Sequence, residues 1–195
     1  MWSEITLGLA EIFSASSTDG GLTFNTPVNV SNTPGSSEIP QIKAVEDNVY
    51  VVWEETITPT NDEIFFASSN NNGLTFGTSV NLSQNPGLSI GPQIAASDNN
   101  IYVVWYDNTP GNFEIFLIGN DQNFIGPVNL SNNDGSSISP HLTAIGENVY
   151  ATWSDNSYGL FQIFLQGINQ NLISPLNLLD AGGNSASNGA QITSR

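Results

Sequence analysis

Short apolar runs alternate along the chain with polar stretches, and the two kinds of segment recur in a fixed order. The apolar runs are rich in Val, Ile, Tyr and Phe. Residues of the types Asn, Asp, Gly and Pro bound them, which is typical of β-strands separated by turns. One run ends in a Trp at Trp53, Trp105 and Trp153, and Trp2 begins the series. These Trp residues lie about 50 positions apart, a period that indicates an array of supersecondary units.

Each repeat contains four such runs, which we name strands A to D in chain order. Strand A begins with Pro-Gln-Ile or a similar triplet, and strand B runs into the Trp. Strand C contains Glu-Ile-Phe or Gln-Ile-Phe, and strand D contains Val-Asn-Leu-Ser or a variant. Four antiparallel strands in a repeat of this length predict the blade of a β-propeller. We therefore expect an all-β single propeller domain over residues 1–195, with repeats at approximately 2–52, 53–104, 105–152 and 153–195. The recurring Trp is expected in the core between blades.

The strands do not divide evenly among the four repeats. Met1 and Trp2 are expected to be all that remains of the first strand B, and the last strand A, residues 190–194, has no strand B after it. Pairing of residues 190–194 beside the N-terminal strands would form a composite blade that joins the termini and hides the open edges. Within one chain this pairing gives a four-bladed monomer, and between two chains it gives an eight-bladed dimer. The monomer is slightly favoured because intramolecular closure has the higher effective concentration.

The charge balance excludes two classes of partner. The formal net charge is −16, because Lys43 and Arg195 are the two strong cations of the sequence. Two cations cannot supply the phosphate contacts that nucleic acids or anionic membranes require. The sequence has no cysteine, so the fold does not depend on disulfides. Asn, Ser, Thr and Gly supply most of the polarity, a composition common in secreted proteins, and we expect an extracellular or cell-surface location.

Two sets of polar residues recur once per repeat near the face where propellers usually bind ligands. The first set lies at the start of strand A: Gln41, Gln93, His141 and Gln191. These residues either bind a ligand or make hydrogen bonds between blades, and hydrogen bonding between blades is the favoured interpretation. The second set follows each Trp by two positions: Glu4, Glu55, Asp107 and Asp155. These residues either bind a ligand, which would be a divalent cation such as calcium or sugar hydroxyls, or they cap loops. Loop capping is the favoured interpretation. His141 is the single His and the sequence has no Cys, so no zinc site is expected. We expect no cofactor, with calcium as the one candidate.

One loop carries a motif that resembles a known family. Residues 17–24 read Ser-Thr-Asp-Gly-Gly-Leu-Thr-Phe and match the Asp-box, Ser-x-Asp-x-Gly-x-Thr-Trp/Phe, of sialidase-like BNR repeats. Residues 69–76 match with Asn in the Asp position, and the third and fourth repeats have lost the motif. The resemblance implies a BNR-type propeller in which the boxes stabilise peripheral turns. The residues assigned this structural role are Ser17, Asp19, Gly21, Thr23, Phe24, Ser69, Asn71, Gly73, Thr75 and Phe76.

Sialidase chemistry does not follow from the resemblance. The family's enzymes hold the substrate carboxylate with three arginines, whereas this sequence has Arg195 alone, and Lys43 lacks the guanidinium fork. Three functions remain open: a binding or scaffold module for a glycan or a protein, a glycoside hydrolase with two carboxylates, and a structural element. The carboxylates of the second function would come from Glu54, Glu55, Asp107 and Asp155. We expect the first function, and therefore a protein that is not an enzyme.

Overall fold

A computed structural model describes residues 1–6, 8–97, 100–120, 126–146, 148–168 and 174–178. The strands in these ranges are β1 (Trp2–Thr6), β2 (Leu9–Ser14), β3 (Val28–Asn29), β4 (Ser36–Val45), β5 (Asn48–Thr58), β6 (Asn61–Ser69), β7 (Val80–Asn81), β8 (Ser89–Ser97), β9 (Asn100–Asp107), β10 (Glu114–Gly119), β11 (Val128–Asn129), β12 (Ser137–Ile145), β13 (Asn148–Asp155), β14 (Gln162–Gly167) and β15 (Leu176–Asn177). The described residues contain no helix that could cross a bilayer.

The strands form four antiparallel sheets that follow the repeats. The first sheet has the order β1-β2-β3, and the second, third and fourth sheets each have four strands, β4-β5-β6-β7, β8-β9-β10-β11 and β12-β13-β14-β15. The predicted all-β fold with four-stranded antiparallel blades is confirmed. The strand expected to complete the first sheet, residues 190–194, lies outside the described residues.

Each sheet packs face to face against the next sheet in chain order. Ile12 of the first sheet contacts the cluster around Trp53 of the second sheet. Leu82 of the second sheet joins the cluster around Trp105 of the third, and Leu130 of the third joins the cluster around Trp153 of the fourth. These three Trp side chains are 0–1% exposed. The prediction that the recurring Trp lies in the core between blades is therefore confirmed.

Strand B is longer than the sequence indicates. In β1 the register pairs Trp2 with Phe13 and continues to Thr6, so more than Met1 and Trp2 remains of the first strand B. In β5, β9 and β13 the pairing likewise continues beyond the Trp, and it places Glu55, Asp107 and Asp155 inside strands and not in loops. The extension occurs because Ser side chains of the adjacent strand A satisfy these carboxylates, which lets a charged residue continue a buried strand.

Candidate functional site

The Asp-box turn stabilises itself through the Asp19 carboxylate. Oδ1 of Asp19 accepts hydrogen bonds from the backbone N–H of Leu22 (3.0 Å) and of Thr23 (2.9 Å), and Oδ2 accepts one from Thr23 Oγ1 (2.6 Å). The side-chain and backbone bonds from Thr23, with a further bond from Ser17, lower the pKa of Asp19 to about 2. Gly21 has a φ of +89°, a left-handed conformation that glycine adopts without a steric cost. These contacts account for Asp19 without a ligand.

The second Asp-box has the same design with an amide in place of the carboxylate. Asn71 Oδ1 accepts from the N–H of Thr75 (3.0 Å), and Ser69 Oγ accepts from the N–H of Gly73 (3.0 Å). Phe76 packs against the core between the first and second sheets. Its counterpart Phe24 in the first box is 64% exposed, so the aromatic residue anchors only the second of the two boxes.

Three of the four acidic residues that follow the Trp are buried, and hydrogen bonds occupy their carboxylates, whereas Glu4 is exposed. Glu55 accepts from Ser37 Oγ (2.5 Å) and Trp53 Nε1 (3.1 Å). Asp107 accepts from Ser89 Oγ, Asn85 Nδ2 and the N–H of Thr109. Asp155 accepts from Ser137 Oγ, Asn133 Nδ2 and the N–H and Oγ of Ser157. The bonds from the three Ser residues join strands A and B, and the bonds from Thr109 and Ser157 cap the loop that follows strand B.

Further glutamates at the start of strand C extend the same networks from one sheet to the next. Ser83 Oγ and the N–H of Asn85 donate to Glu63 of the second sheet, while Asn85 Nδ2 donates to Asp107 of the third sheet. Ser131 and Asn133 link Glu114 of the third sheet to the fourth in the same way. The repeated Glu of strand C and the Asn of the D-to-A loop were the available sequence signals for this link.

The polar residues at the start of strand A are partly exposed and lie near the β-bulge of that strand. Gln41, Gln93 and His141 are half-buried, and Gln191 lies outside the described residues. Gln93 Nε2 donates to its neighbour's carbonyl, Pro92 O (3.0 Å). Burial lowers the pKa of His141. Within the described part of the chain, no three His, Cys, Asp or Glu side chains converge as metal ligands. A calcium site therefore has no support from the acidic residues described.

A different acidic residue, Glu54, occupies the interface between the second and third sheets. Glu54 directly follows Trp53, so its side chain points to the opposite face of β5, toward the third sheet. Oε1 of Glu54 accepts a hydrogen bond from the N–H of Gly91 on β8 (2.5 Å). Burial raises the pKa of Glu54, the Gly91 bond lowers it, and the negative charges of Asp62 and Glu38 raise it further, so that the pKa lies above its ordinary value.

Two more carboxylates share the face of the second sheet that carries Glu54. Glu38 on β4 is the register partner of Glu54, and Asp62 on β6 lies diagonally from it, two residues before the partner Ile64. Directly opposite residues of an antiparallel pair have Cβ atoms about 4.5–5.5 Å apart, and diagonal neighbours are about 7–8 Å apart. Glu38 is exposed and Asp62 is half-buried, so water and solutes reach this group from the side of the strand ends.

Tyr106 of the third sheet completes this group, which we name the Glu54 site: Glu38, Glu54, Asp62, Gly91 and Tyr106. Burial raises the pKa of the Tyr106 phenol, and the charge of Glu54 raises it further. Gly91 allows the approach of these groups, since a Cβ at this position would lie 2.3 Å from Tyr106 Cε1. Gly91 also has a φ of +65°, which other residues adopt with strain. Glycine is therefore required at position 91, where the backbone contacts the Glu54 carboxylate and the Tyr106 ring covers the Cα.

Backbone strain lies beside the Glu54 site. Ile39, which follows Glu38, has a φ of +50°, an unfavourable conformation for a β-branched residue. The strain coincides with a β-bulge of β4 between Glu38 and Gln41. The same bulge and a positive φ recur at Gly91 of β8 and Ser139 of β12, so they belong to strand A of every described repeat and do not single out this site. The sequence pointed to Glu54 as one of four candidate carboxylates, but nothing in it indicated Glu38, Asp62 or Tyr106 as neighbours.

Comparison with known proteins identifies solved structures with a similar fold. No family model and no curated protein matches the sequence. Among solved structures, the chain is similar to a Hadza microbial sialidase (TM-score 0.59, 12% identity, covering 87% of this chain and 40% of that one). It is also similar to a Trypanosoma rangeli sialidase in complex with 2,3-difluorosialic acid (TM-score 0.54, 12% identity, 84% and 34%) and a thermostable family-43 glycoside hydrolase (TM-score 0.51, 15% identity, 74% and 55%).

These similarities establish the fold and correct one expectation. At 12–15% identity the chain shares the propeller fold of sialidases and family-43 glycoside hydrolases, and it spans between about a third and just over half of their lengths. The prediction that the chain is not an enzyme is contradicted, because these structural neighbours are all glycoside hydrolases or sialidases. That prediction rested on the missing arginine triad, and a missing triad argues only against one chemistry of the fold.

Proposed function

We propose that the chain acts on a carbohydrate at the Glu54 site and that Glu54 donates the proton to the leaving oxygen of a glycosidic bond. The observation that carries this proposal is a half-buried carboxyl with a raised pKa beside two further carboxylates. Glycoside hydrolysis needs this combination, because one carboxyl must be protonated near neutral pH while another is ionised.

Two carboxylates beside Glu54 are candidates for the second catalytic group, one for each stereochemical outcome of hydrolysis. Retaining enzymes separate their two carboxyl groups by about 5–5.5 Å, and inverting enzymes separate them by about 6.5–9.5 Å. By register Glu38 is the nearer neighbour of Glu54 and is proposed as the nucleophile of a retaining reaction, whereas Asp62, on the diagonal, is proposed as the base of an inverting reaction. The anomer of the first product, read by proton NMR, identifies which of the two acts.

The charge of the site favours a neutral substrate. Glu38, Glu54 and Asp62 contribute negative charge, and Lys43, the sole cation among the described residues, lies five residues along β4 from Glu38. A sugar that carries a carboxylate would meet repulsion here and no guanidinium. The proposal therefore differs from sialidase activity in its substrate class, although the fold is shared.

A panel of neutral aryl glycosides and oligosaccharides tests the proposal. The wild type is expected to release product from at least one of them, and Glu54→Gln is expected to lower kcat at least about 100-fold, the usual contribution of a general acid. Glu46→Gln serves as the matched control, because Glu46 is an exposed residue in the turn at the other end of β4. Equal rates for wild type and Glu54→Gln, or no hydrolysis anywhere in the panel, would overturn the proposal.

A further inference from the structure

A cleft lined by none of the Glu54-site residues lies toward the other end of the second sheet, beside the second Asp-box. Its volume is about 570 Å³, which is within the range of ligand-binding sites in proteins. The start of β5 and the loop that follows β6 form its walls. We name it the Asp-box cleft and define it by six residues that line it: Asn48, Tyr50, Ser68, Asn70, Thr75 and Phe76.

Tyr50 brings to this cleft a hydroxyl group that has no hydrogen-bond partner among the described residues. The Tyr50 side chain is 9% exposed, and its ring stacks on Phe66 in the core between the second and third sheets. Burial raises the pKa of the Tyr50 phenol, and no hydrogen bond contributes to this shift. The phenol is therefore a neutral donor at physiological pH. Because buried polar groups normally have a partner, a ligand in the cleft can supply the missing acceptor.

Hydrogen bonds of the Asp-box hold the walls of the cleft in place. Ser69 Oγ donates to Asn71 Oδ1 (2.8 Å), and Asn71 Nδ2 donates to Thr75 Oγ1 (2.8 Å). The N–H of Asn72 donates to the carbonyl oxygen of Asp47 (2.8 Å), which ties this loop to the turn between β4 and β5. The two walls are thus joined before any ligand arrives, and a preformed site loses less conformational freedom on binding.

The lining of the cleft favours a neutral ligand that carries many hydroxyl groups. Its polar lining consists of neutral amide and hydroxyl side chains: Asn48, Ser68, Asn70 and Thr75. Asp47 lies beside the cleft, bonded through its carboxylate to Asn72 Nδ2 (3.2 Å), and its charge repels anions. Phe76 is half-buried and adds an apolar surface. A sugar ring matches both kinds of surface, because it has hydroxyl groups at its edge and C–H groups on its faces.

A peptide is less suited to the cleft than a sugar. Peptides that bind by strand addition need a free strand edge with unpaired backbone groups. At the cleft, the edge of β6 is already occupied, because the carbonyl oxygen of Ser68 accepts a hydrogen bond from the N–H of Gly77 (2.9 Å). The groups that remain for a ligand are side-chain hydroxyls and amides, which recognise hydroxyl groups as well as they recognise a peptide backbone.

We propose that the Asp-box cleft binds a neutral oligosaccharide and that the Tyr50 hydroxyl donates a hydrogen bond to a sugar oxygen. A second cleft of about 380 Å³ adjoins it, since Thr75, Phe76 and Gly77 line both. The combined groove runs from β5 toward β3 and accommodates a chain of sugars. No acidic side chain lines the Asp-box cleft, so it binds sugar without hydrolysing it. Binding here does not depend on the proposed reaction at Glu54.

Isothermal titration calorimetry tests the proposal with neutral oligosaccharides as probes: cellotetraose, xylotetraose, mannotetraose and maltotetraose. The titrations use Glu54→Gln, so that hydrolysis does not consume the probe, and at least one probe is expected to show saturable binding. Adding Tyr50→Phe is expected to weaken that binding about 3- to 10-fold, the usual value of one hydrogen bond. Because the hydroxyl has no partner in the described residues, Tyr50→Phe should leave Tm unchanged. Tyr158→Phe is the matched control, since Tyr158 is 73% exposed in the loop between β13 and β14.

Backbone amide NMR locates the bound sugar and separates the two sites. The bound probe is expected to shift the N–H signals of Thr75 and Gly77 and to leave that of Gly91, in the Glu54 site, unchanged. Shifts confined to Gly91 would overturn the proposal, as would equal affinity of the Tyr50→Phe variant or no saturable binding of any oligosaccharide. Binding of tetra-alanine in place of every sugar would overturn the ligand class. Neither measurement reads hydrolysis, so a failure of the Glu54 proposal is distinguishable from a failure of this one.

Discussion

Substitution of Asp155 by Ala tests the interpretation of the acidic residues that follow the Trp as structural caps. The Asp155 side chain is 0% exposed, and its carboxylate accepts hydrogen bonds from Ser137 Oγ (2.5 Å), Asn133 Nδ2 (2.6 Å) and the N–H of Ser157 (2.8 Å), with a fourth from Ser157 Oγ. Ala would leave these four donors without their acceptor. A buried donor that loses its partner costs about 1–3 kcal/mol, but the two hydroxyls can rotate to other acceptors. We therefore expect Asp155→Ala to lower the free energy of unfolding by about 3–5 kcal/mol.

Urea denaturation followed by Trp fluorescence measures this loss, with Asp134→Ala as the control because Asp134 is exposed in the loop before β12. The pH dependence gives a second test. Burial alone would raise the pKa of Asp155, but the bonds from Ser137, Ser157 and Asn133 outweigh it and lower the pKa. A lowered pKa stabilises the fold above the ordinary carboxyl range, and this stabilisation disappears as the pH falls through the folded-state pKa. The variant should therefore lose less stability than the wild type on acidification. A cost within 0.5 kcal/mol of that of Asp134→Ala would refute the reasoning.

Two further substitutions test close packing, one between sheets and one between the loops that flank the fourth sheet. Trp105→Ala removes a 0% exposed indole from the interface of the second and third sheets and should cost about 3–5 kcal/mol in urea denaturation; a cost near zero would place the ring outside the core. Gly135→Ala should cost about 1–3 kcal/mol or more, because the new Cβ would lie 2.4 Å from the backbone nitrogen of Ser157. Gly77→Ala meets its nearest atom at 3.7 Å and should be close to neutral in the same urea denaturation; equal costs for the two Gly variants would contradict this account.

The strands and their grouping into blades could be predicted because both depend on local patterns that repeat. Alternating apolar residues bounded by turn residues specify a strand, and four copies at a regular spacing specify the array. The Asp-box could also be predicted from the sequence, since the hydrogen bonds of Asp19 lie within a single turn of the chain. The end of strand B could not be predicted from the sequence. Glu55 and Asp107 continue the strand because they accept hydrogen bonds from Ser residues about twenty positions away.

The composition of the candidate site could be predicted only in part. The alternation of β5 places Glu54 and Glu55 on opposite faces, but sequence does not reveal that one carboxylate is capped by Ser37 and the other meets a neighbouring sheet. Tyr106 joins the site from the following repeat, and its approach depends on the conformation of Gly91. Such contacts between sheets have no local signal. The raised pKa of Glu54 is a consequence of that packing, so it too required the structure.

The central claim, that Glu54 is held as a proton donor, is tested most directly by measuring its pKa through carbon-13 NMR titration of the side-chain carboxyl, assigned by comparison with Glu54→Gln. We predict a pKa above the ordinary value of 4.5. Asp62→Asn should move it downward, because removal of a neighbouring negative charge favours ionisation. A pKa at or below 4.5 that does not change in Asp62→Asn would contradict the claim.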